Sequence, residues 1–191
     1  MDTFPFATAL LSTGTVALAE IGDKTQLLAL LLAARFRRPW PIIGGILVAT
    51  VLNHALAGWL GALVAQWLRP ELLRWIVAAS FFAVGLWALK PDTLDDGASL
   101  PPRGAFVATT IAFFFAEIGD KTQIATVLIA ARYHPLWEVV VGTTAGMLLA
   151  NVPVVALGSR FAGRLPLKAA RYAAAALFIA LAAWVAVRGV G

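Results

Sequence analysis

AEIGDKTQ occupies residues 19–26 and recurs, letter for letter, at residues 116–123. Both copies interrupt long apolar runs. FPFATALLSTGTVAL precedes the first and LLALLLAA follows it, while FVATTIAFFF and IATVLIAA flank the second. A Glu, an Asp and a Lys within five residues are the most costly content such a run can carry. At mid-bilayer a charge costs at least ~2.5–3.5 kcal/mol even on the most lenient scale. The fold therefore turns on what solvent surrounds these runs and on what two charged islands do inside them.

Composition points to lipid. The 191 residues are 61% hydrophobic and only 13% charged, with mean hydropathy +0.85; a soluble domain usually carries about 25% charged residues. The net charge of +5 is concentrated in short breaks between apolar runs, which reads as a topology signal at a membrane surface and not as a nucleic-acid footprint. Cysteine is absent, which excludes disulfides, thiolate metal sites and cysteine nucleophiles. The start, MDTFPF, lacks the basic region of a secretory signal, so the first apolar run is expected to be retained.

Six runs are long enough to cross a bilayer, which takes about 17–25 residues: 3–34, 41–68, 72–89, 104–131, 136–161 and 167–187. The breaks RFRRPWP, RPELLR, RYHP and GRLP are short, and KPDTLDDGASLPPR alone has the length and the Pro, Gly, Asp and Ser content of a surface linker. The repeat extends far beyond the motif. Glu117 lies 97 residues after Glu20, and the same offset pairs Trp40 with Trp137, Gly45 with Gly142, Gly61 with Gly158, Arg74 with Arg171, Phe81 with Phe178 and Trp87 with Trp184. One offset held over that distance is an internal duplication.

The predicted fold class is thus an all-α polytopic membrane protein of six transmembrane helices. It divides into a first three-helix repeat (1–90), a linker (91–103) and a second repeat (104–191). Three crossings bring the chain to the opposite side, so the second repeat enters inverted, as in many secondary transporters whose substrate site lies at mid-membrane between repeats. Nine Lys and Arg residues fall on the first, third and fifth loops against four on the other face. The positive-inside rule then puts the linker in the cytoplasm and both termini outside. An integral protein of a bacterial inner membrane is expected, with membrane lipid as a partner and no nucleic acid.

On a continuous helix at about 100° per residue, Glu20, Asp23 and Lys24 share one face with Thr13; Glu117, Asp120, Lys121 and Thr110 repeat the stripe. If these groups converge, four carboxylates less two lysines leave two negative charges, matched by one divalent ion or by two protons. A site with those two neutral states is the core of a cation/proton exchanger. Oxygen ligands without thiols suit Mn²⁺ or Ca²⁺ over Zn²⁺, and Mg²⁺ gives up water reluctantly. Gln26 and Gln123 can add neutral oxygens. Thr25 and Thr122 point away unless the helix unwinds, which Gly22 and Gly119 permit. Lys24 and Lys121 are read as counter-charges that make the empty site tolerable. Asn53, His54 and Asn151 are possible auxiliary groups, although a lone intramembrane His is more often a helix-to-helix hydrogen bond than a ligand. His134 is expected to be solvated, and the acids of the linker lack the spacing of a calcium-binding loop.

A doubled E-x-G-D-[KR]-[ST] in two inverted three-helix halves resembles the transmembrane protein 165 family, Golgi-type and bacterial Mn²⁺/Ca²⁺ transporters grouped with calcium:cation antiporters. The matching residues are EIGDKT at 20–25 and again at 117–122. The resemblance implies exchange of a divalent cation for protons, with Glu20, Asp23, Glu117 and Asp120 as ligands. Its bacterial members act mainly in manganese export. The metal is then cargo, and no resident cofactor is expected. Three rivals fit less well. A non-transporting membrane scaffold leaves the duplicated charges unexplained. An aspartyl protease dyad leaves two carboxylates and two lysines unused. An exporter of cationic amino acids does not call for so compact a set of charged groups.

Overall fold

A computed structural model describes residues 6–91, 104–158 and 166–189. The linker acids Asp92, Asp95 and Asp96, and the basic residues Arg103, Arg160 and Arg164, lie outside these. All the described regular structure is helical: α1 (Ala7–Glu20), α2 (Lys24–Phe36), α3 (Pro39–Trp67), α4 (Pro70–Ala88), α5 (Ala105–Glu117), α6 (Lys121–Arg132), α7 (Leu136–Leu157) and α8 (Leu167–Arg188).

The first correction to the sequence reading falls at the motif. Runs 3–34 and 104–131 are not continuous helices. Each is broken at its glycine, Gly22 at φ 82° and Gly119 at φ 75°, a region that side-chain-bearing residues rarely enter. Asp23 and Asp120 restart the chain with the same extended conformation, φ −80° and ψ 165°. The 100° wheel therefore does not apply across residues 20–24. Thr13 and Thr110 do not join the acids either: Thr13 Oγ1 donates to the carbonyls of Ala9 and Gly142, and Thr110 Oγ1 to that of Phe106.

The remaining helices read as the composition demands. Helices α3, α4, α7 and α8 are long and apolar enough to cross a membrane. Pro39 and Pro70 open α3 and α4, where the missing N–H has no intrahelical partner to lose. Trp40 and Trp67, 80% and 82% exposed, stand at the two ends of α3, as interfacial anchors do.

Small residues set the close approaches. A β-carbon on Gly142 would overlap the Ala9 carbonyl of α1, and one on Gly45 would lie 2.7 Å from Thr109 Cβ of α5. These are matching contacts, because Gly45 and Gly142, like Ser12 and Thr109, stand 97 residues apart. Hence α1 packs on α7 as α5 packs on α3. Helices α4 and α8 pair with each other, with Phe81 stacked on its own counterpart Phe178 at 6.3 Å between ring centroids.

Among the described residues, two apolar clusters fill the interior. One joins α4 and α8 to α6, to Ala19 of α1 and to Val139 of α7, and it includes Val77, Phe81, Ile129, Phe178 and Val185. The other joins α1, α2, α3, α5 and α7 through Val16, Leu32, Ile46, Phe113 and Met147, and it contains no residue of α4 or α8.

Candidate metal site

The two broken helices bring their breaks together. Glu20 ends α1, Glu117 ends α5, and Asp120 opens α6. One carboxylate oxygen from each lies within 4.8 Å of the other two, and all three side chains are buried. Three carboxylates so close, drawn from both copies of the motif, are spaced to share one cation.

The counter-charges cross between copies. Lys121 Nζ lies 2.5 Å from Asp23 Oδ1, and Lys24 Nζ lies 3.6 Å from Asp120 Oδ1. The within-helix pair Glu20–Lys24, the simplest structural alternative for these charges, is not formed. Each lysine instead answers the aspartate of the other repeat. Asp23 is therefore engaged with Lys121 and stands outside the three-carboxylate cluster, although its sequence counterpart Asp120 is a member. The two lysines also differ in setting, since the Lys121 side chain is 3% exposed and that of Lys24 29%.

Unwinding at the glycines turns the threonines inward. Thr25 Oγ1 donates to Glu20 Oε2 at 2.5 Å, and Thr122 Oγ1 to Glu117 Oε2 at 3.0 Å. Each glutamate is thus oriented by the hydroxyl five residues on, and its other oxygen, Oε1, has no hydrogen-bond partner among the described residues. The glutamines lock the turns. Gln26 Oε1 accepts from the Gly22 N–H at 2.9 Å, and Gln123 Oε1 from that of Gly119 at 2.7 Å. Their amide groups reach the neighbouring long helices: Gln26 Nε2 donates to the Ala150 carbonyl, and Gln123 Nε2 to Asn53 Oδ1. Each glutamine oxygen thus accepts a backbone N–H at its own turn, and each glutamine braces the break against a long helix.

The auxiliary residues divide. Asn53 Nδ2 donates to the Phe114 carbonyl at 3.0 Å, tying α3 to α5. Asn151 Nδ2 reaches Glu20 Oε2 at 3.5 Å and also donates to the Met147 carbonyl. His54, the counterpart of Asn151, is fully buried with neither ring nitrogen hydrogen-bonded among the described residues, so the helix-to-helix bond expected of it is not made. His134 is exposed. The sequence reading missed the carbonyls of Ala150 and Phe114, which no residue type announces. It also passed over Thr15, Thr50 and Thr144, hydroxyls buried inside helices.

The profile described as "Divalent cation/proton antiporter GDT1" matches residues 8–96 and 105–191, covering both copies of the motif. The chain belongs to this family of divalent cation/proton antiporters. A protein of Vibrio cholerae named "Putative manganese exporter" is 57% identical over 173 residues, covering 90% of this chain and 86% of that protein. A GDT1-like protein of Synechocystis sp. is 29% identical over 88% of this chain and 92% of its own. GDT1-like protein 5 of Arabidopsis thaliana is 30% identical over 72% and 77%. No solved structure matches the chain. Membership makes the protein an integral membrane transporter, in keeping with the four long apolar helices among the described residues.

Proposed function

We propose that the protein is a secondary transporter that moves Mn²⁺, with Ca²⁺ as the next best cargo, in exchange for protons. The observation that carries this reading is the meeting of Glu20, Glu117 and Asp120 within 4.8 Å at the breaks of two helices. Buried oxygens of this kind suit hard and borderline divalent cations, and the name of the Vibrio cholerae relative favours manganese. Asp23 completes the acidic set, with Lys24 and Lys121 as its counter-charges. Thr25 and Thr122 orient the glutamates. Four carboxylates less two lysines leave two negative charges, which one divalent ion or two protons neutralise. Release of metal to one side, uptake of protons from that same side and their release on the other then follow from a single site that stays neutral in both loaded forms.

Six spans serve this site: α1 with α2, α3, α4, α5 with α6, α7, and α8. Residues 1–90 and 104–191 form two repeats of opposite orientation, and shared offsets of 97 in the contacts of α1 with α7 and of α5 with α3 support this. Both termini lie outside a bacterial inner membrane, and the linker lies in the cytoplasm.

The test is flux in proteoliposomes carrying an internal pH dye, with Mn²⁺, Ca²⁺ or arginine added outside. Proton efflux driven by Mn²⁺, weaker with Ca²⁺, absent with arginine and lost in both Glu20→Gln and Glu117→Gln is the expected result. Flux that survives both substitutions removes the carboxylate site. Flux driven by arginine alone makes the protein an organic-cation exporter.

A further inference from the structure

The two repeats are alike at the motif but not around it. Gly22 is covered: a β-carbon there would lie 3.0 Å from Leu167 Cδ2, at the start of α8. Its counterpart Gly119 has nothing within 4 Å. The difference extends to whole helices. Helix α8 packs on α1 and α4 packs on α6, and the cluster containing α4 and α8 takes in no residue of α2 or α5. In each broken span one half-helix faces either side of the membrane, and inversion puts α1 and α6 on the same side. The α4–α8 pair therefore closes the site on one side and stands away from it on the other.

Exposure follows the same division. Leu128 on α6 is 6% exposed, and its counterpart Leu31 on α2 is 47% exposed. Leu18 on α1 packs against the closed cluster, whereas Phe115 on α5, 97 residues on, is 67% exposed. At Leu31 and Phe115 the second surface is apolar and uncovered, while Leu28 and Leu32, the counterparts of Ala125 and Ile129, are buried in the other cluster.

We infer that the α4–α8 pair is the gate, and that in a second state it leaves α1 and α6 and covers α2 and α5 instead. In that state Pro70, the counterpart of Leu167, caps Gly119, and Gly22 is released. The Phe81–Phe178 stack joins counterparts across the axis between repeats, so the pair keeps its own packing while it rocks over the remaining six helices. The inference rests on the inverted-repeat reading and states which elements move.

The chain has no cysteine, so engineered thiols report without background. Ile21→Cys, beside Gly22, with Leu167→Cys tests the Gly22–Leu167 contact, and Ile118→Cys, beside Gly119, with Pro70→Cys tests its counterpart. In membrane vesicles treated with a short thiol crosslinker, both pairs are expected to form, with Mn²⁺ moving the two yields in opposite directions. Each crosslink is expected to abolish flux until reduced. Absence of the second pair with and without Mn²⁺, absence of the first, or yields that rise and fall together would overturn the gate. Should a double variant fail to fold, Leu31→Cys and Leu128→Cys carry the test singly. Their reactivity toward a water-soluble maleimide must change in opposite senses on adding Mn²⁺, and parallel change or none overturns it. Crosslinking is read on a gel, so reciprocal yields without proton flux would reject exchange and keep the gate. Proton flux without the second pair would do the reverse.

Discussion

At the scale of single residues, the site depends on a division of labour between acids and the groups that aim them. Glu20 and Glu117 each hold one oxygen on a threonine, and the other has no hydrogen-bond partner among the described residues. Thr25→Val keeps the shape and removes the donor. Losing a buried hydrogen bond of this kind costs about 1–3 kcal/mol, so a lower melting temperature and weaker Mn²⁺ binding are expected in both Thr25→Val and Thr122→Val. Unchanged Mn²⁺ affinity by calorimetry would mean that the hydroxyls do not orient the ligands. The acids themselves were legible in the sequence, because charge inside an apolar run has few structural explanations and here it is doubled. Their pairing was not. Periodicity compares a residue with neighbours on its own helix, so it offers Glu20–Lys24 and has no access to Lys121–Asp23 or Lys24–Asp120.

At the scale of elements, the breaks at Gly22 and Gly119 decide which side chains meet. Both glycines hold positive φ, a conformation that costs other residues roughly 1–2 kcal/mol. Gly119→Ala has open space and incurs mainly that cost, whereas Gly22→Ala also presses on Leu167. The larger fall in melting temperature is therefore expected for Gly22→Ala. Equal falls would show that Leu167 does not cover this turn. A different constraint acts at Gly61, where any β-carbon overlaps the Val127 carbonyl of α6. Gly61→Ala must push α3 from α6, with a cost of about 1–3 kcal/mol typical of overpacking, checked by thermal unfolding in detergent. The four long apolar helices α3, α4, α7 and α8 were readable from apolar length and, for α3 and α4, from the prolines that open them. The helix breaks were only permitted by the sequence, because a glycine inside a helical pattern is as compatible with continuation as with a turn. The bracing by Gln26 and Gln123 follows from the break and was hidden with it.

For the whole molecule, a cation held as proposed by Glu20, Glu117 and Asp120 would tie α1 to α5 and α6. Mn²⁺ at a hundred times its dissociation constant stabilises a protein that binds it only when folded by about 2.7 kcal/mol. A rise in melting temperature with Mn²⁺, smaller with Mg²⁺ and absent in Glu20→Gln or Glu117→Gln, is the expected result. Equal stabilisation of wild type and both variants would put the metal elsewhere. The duplication was legible at this scale because one offset runs through the chain. The unequal packing of α4 and α8 was not, since two identical motifs contain nothing that tells which of them is covered.

The crossed lysine–aspartate pairs also impose a delay on synthesis. Asp23 waits for Lys121, and Lys24 for Asp120, in each case about a hundred residues further along the chain. At roughly 5–20 residues per second, the first motif is made about 5–20 seconds before its partners exist. During that interval an aspartate, a lysine and a glutamate must be sheltered by water or by the insertion machinery, because lipid offers them no partner. The nascent first half is thus the stage at which this protein is most exposed to quality control. Substitutions in the second motif should then act partly by leaving the first one unclaimed.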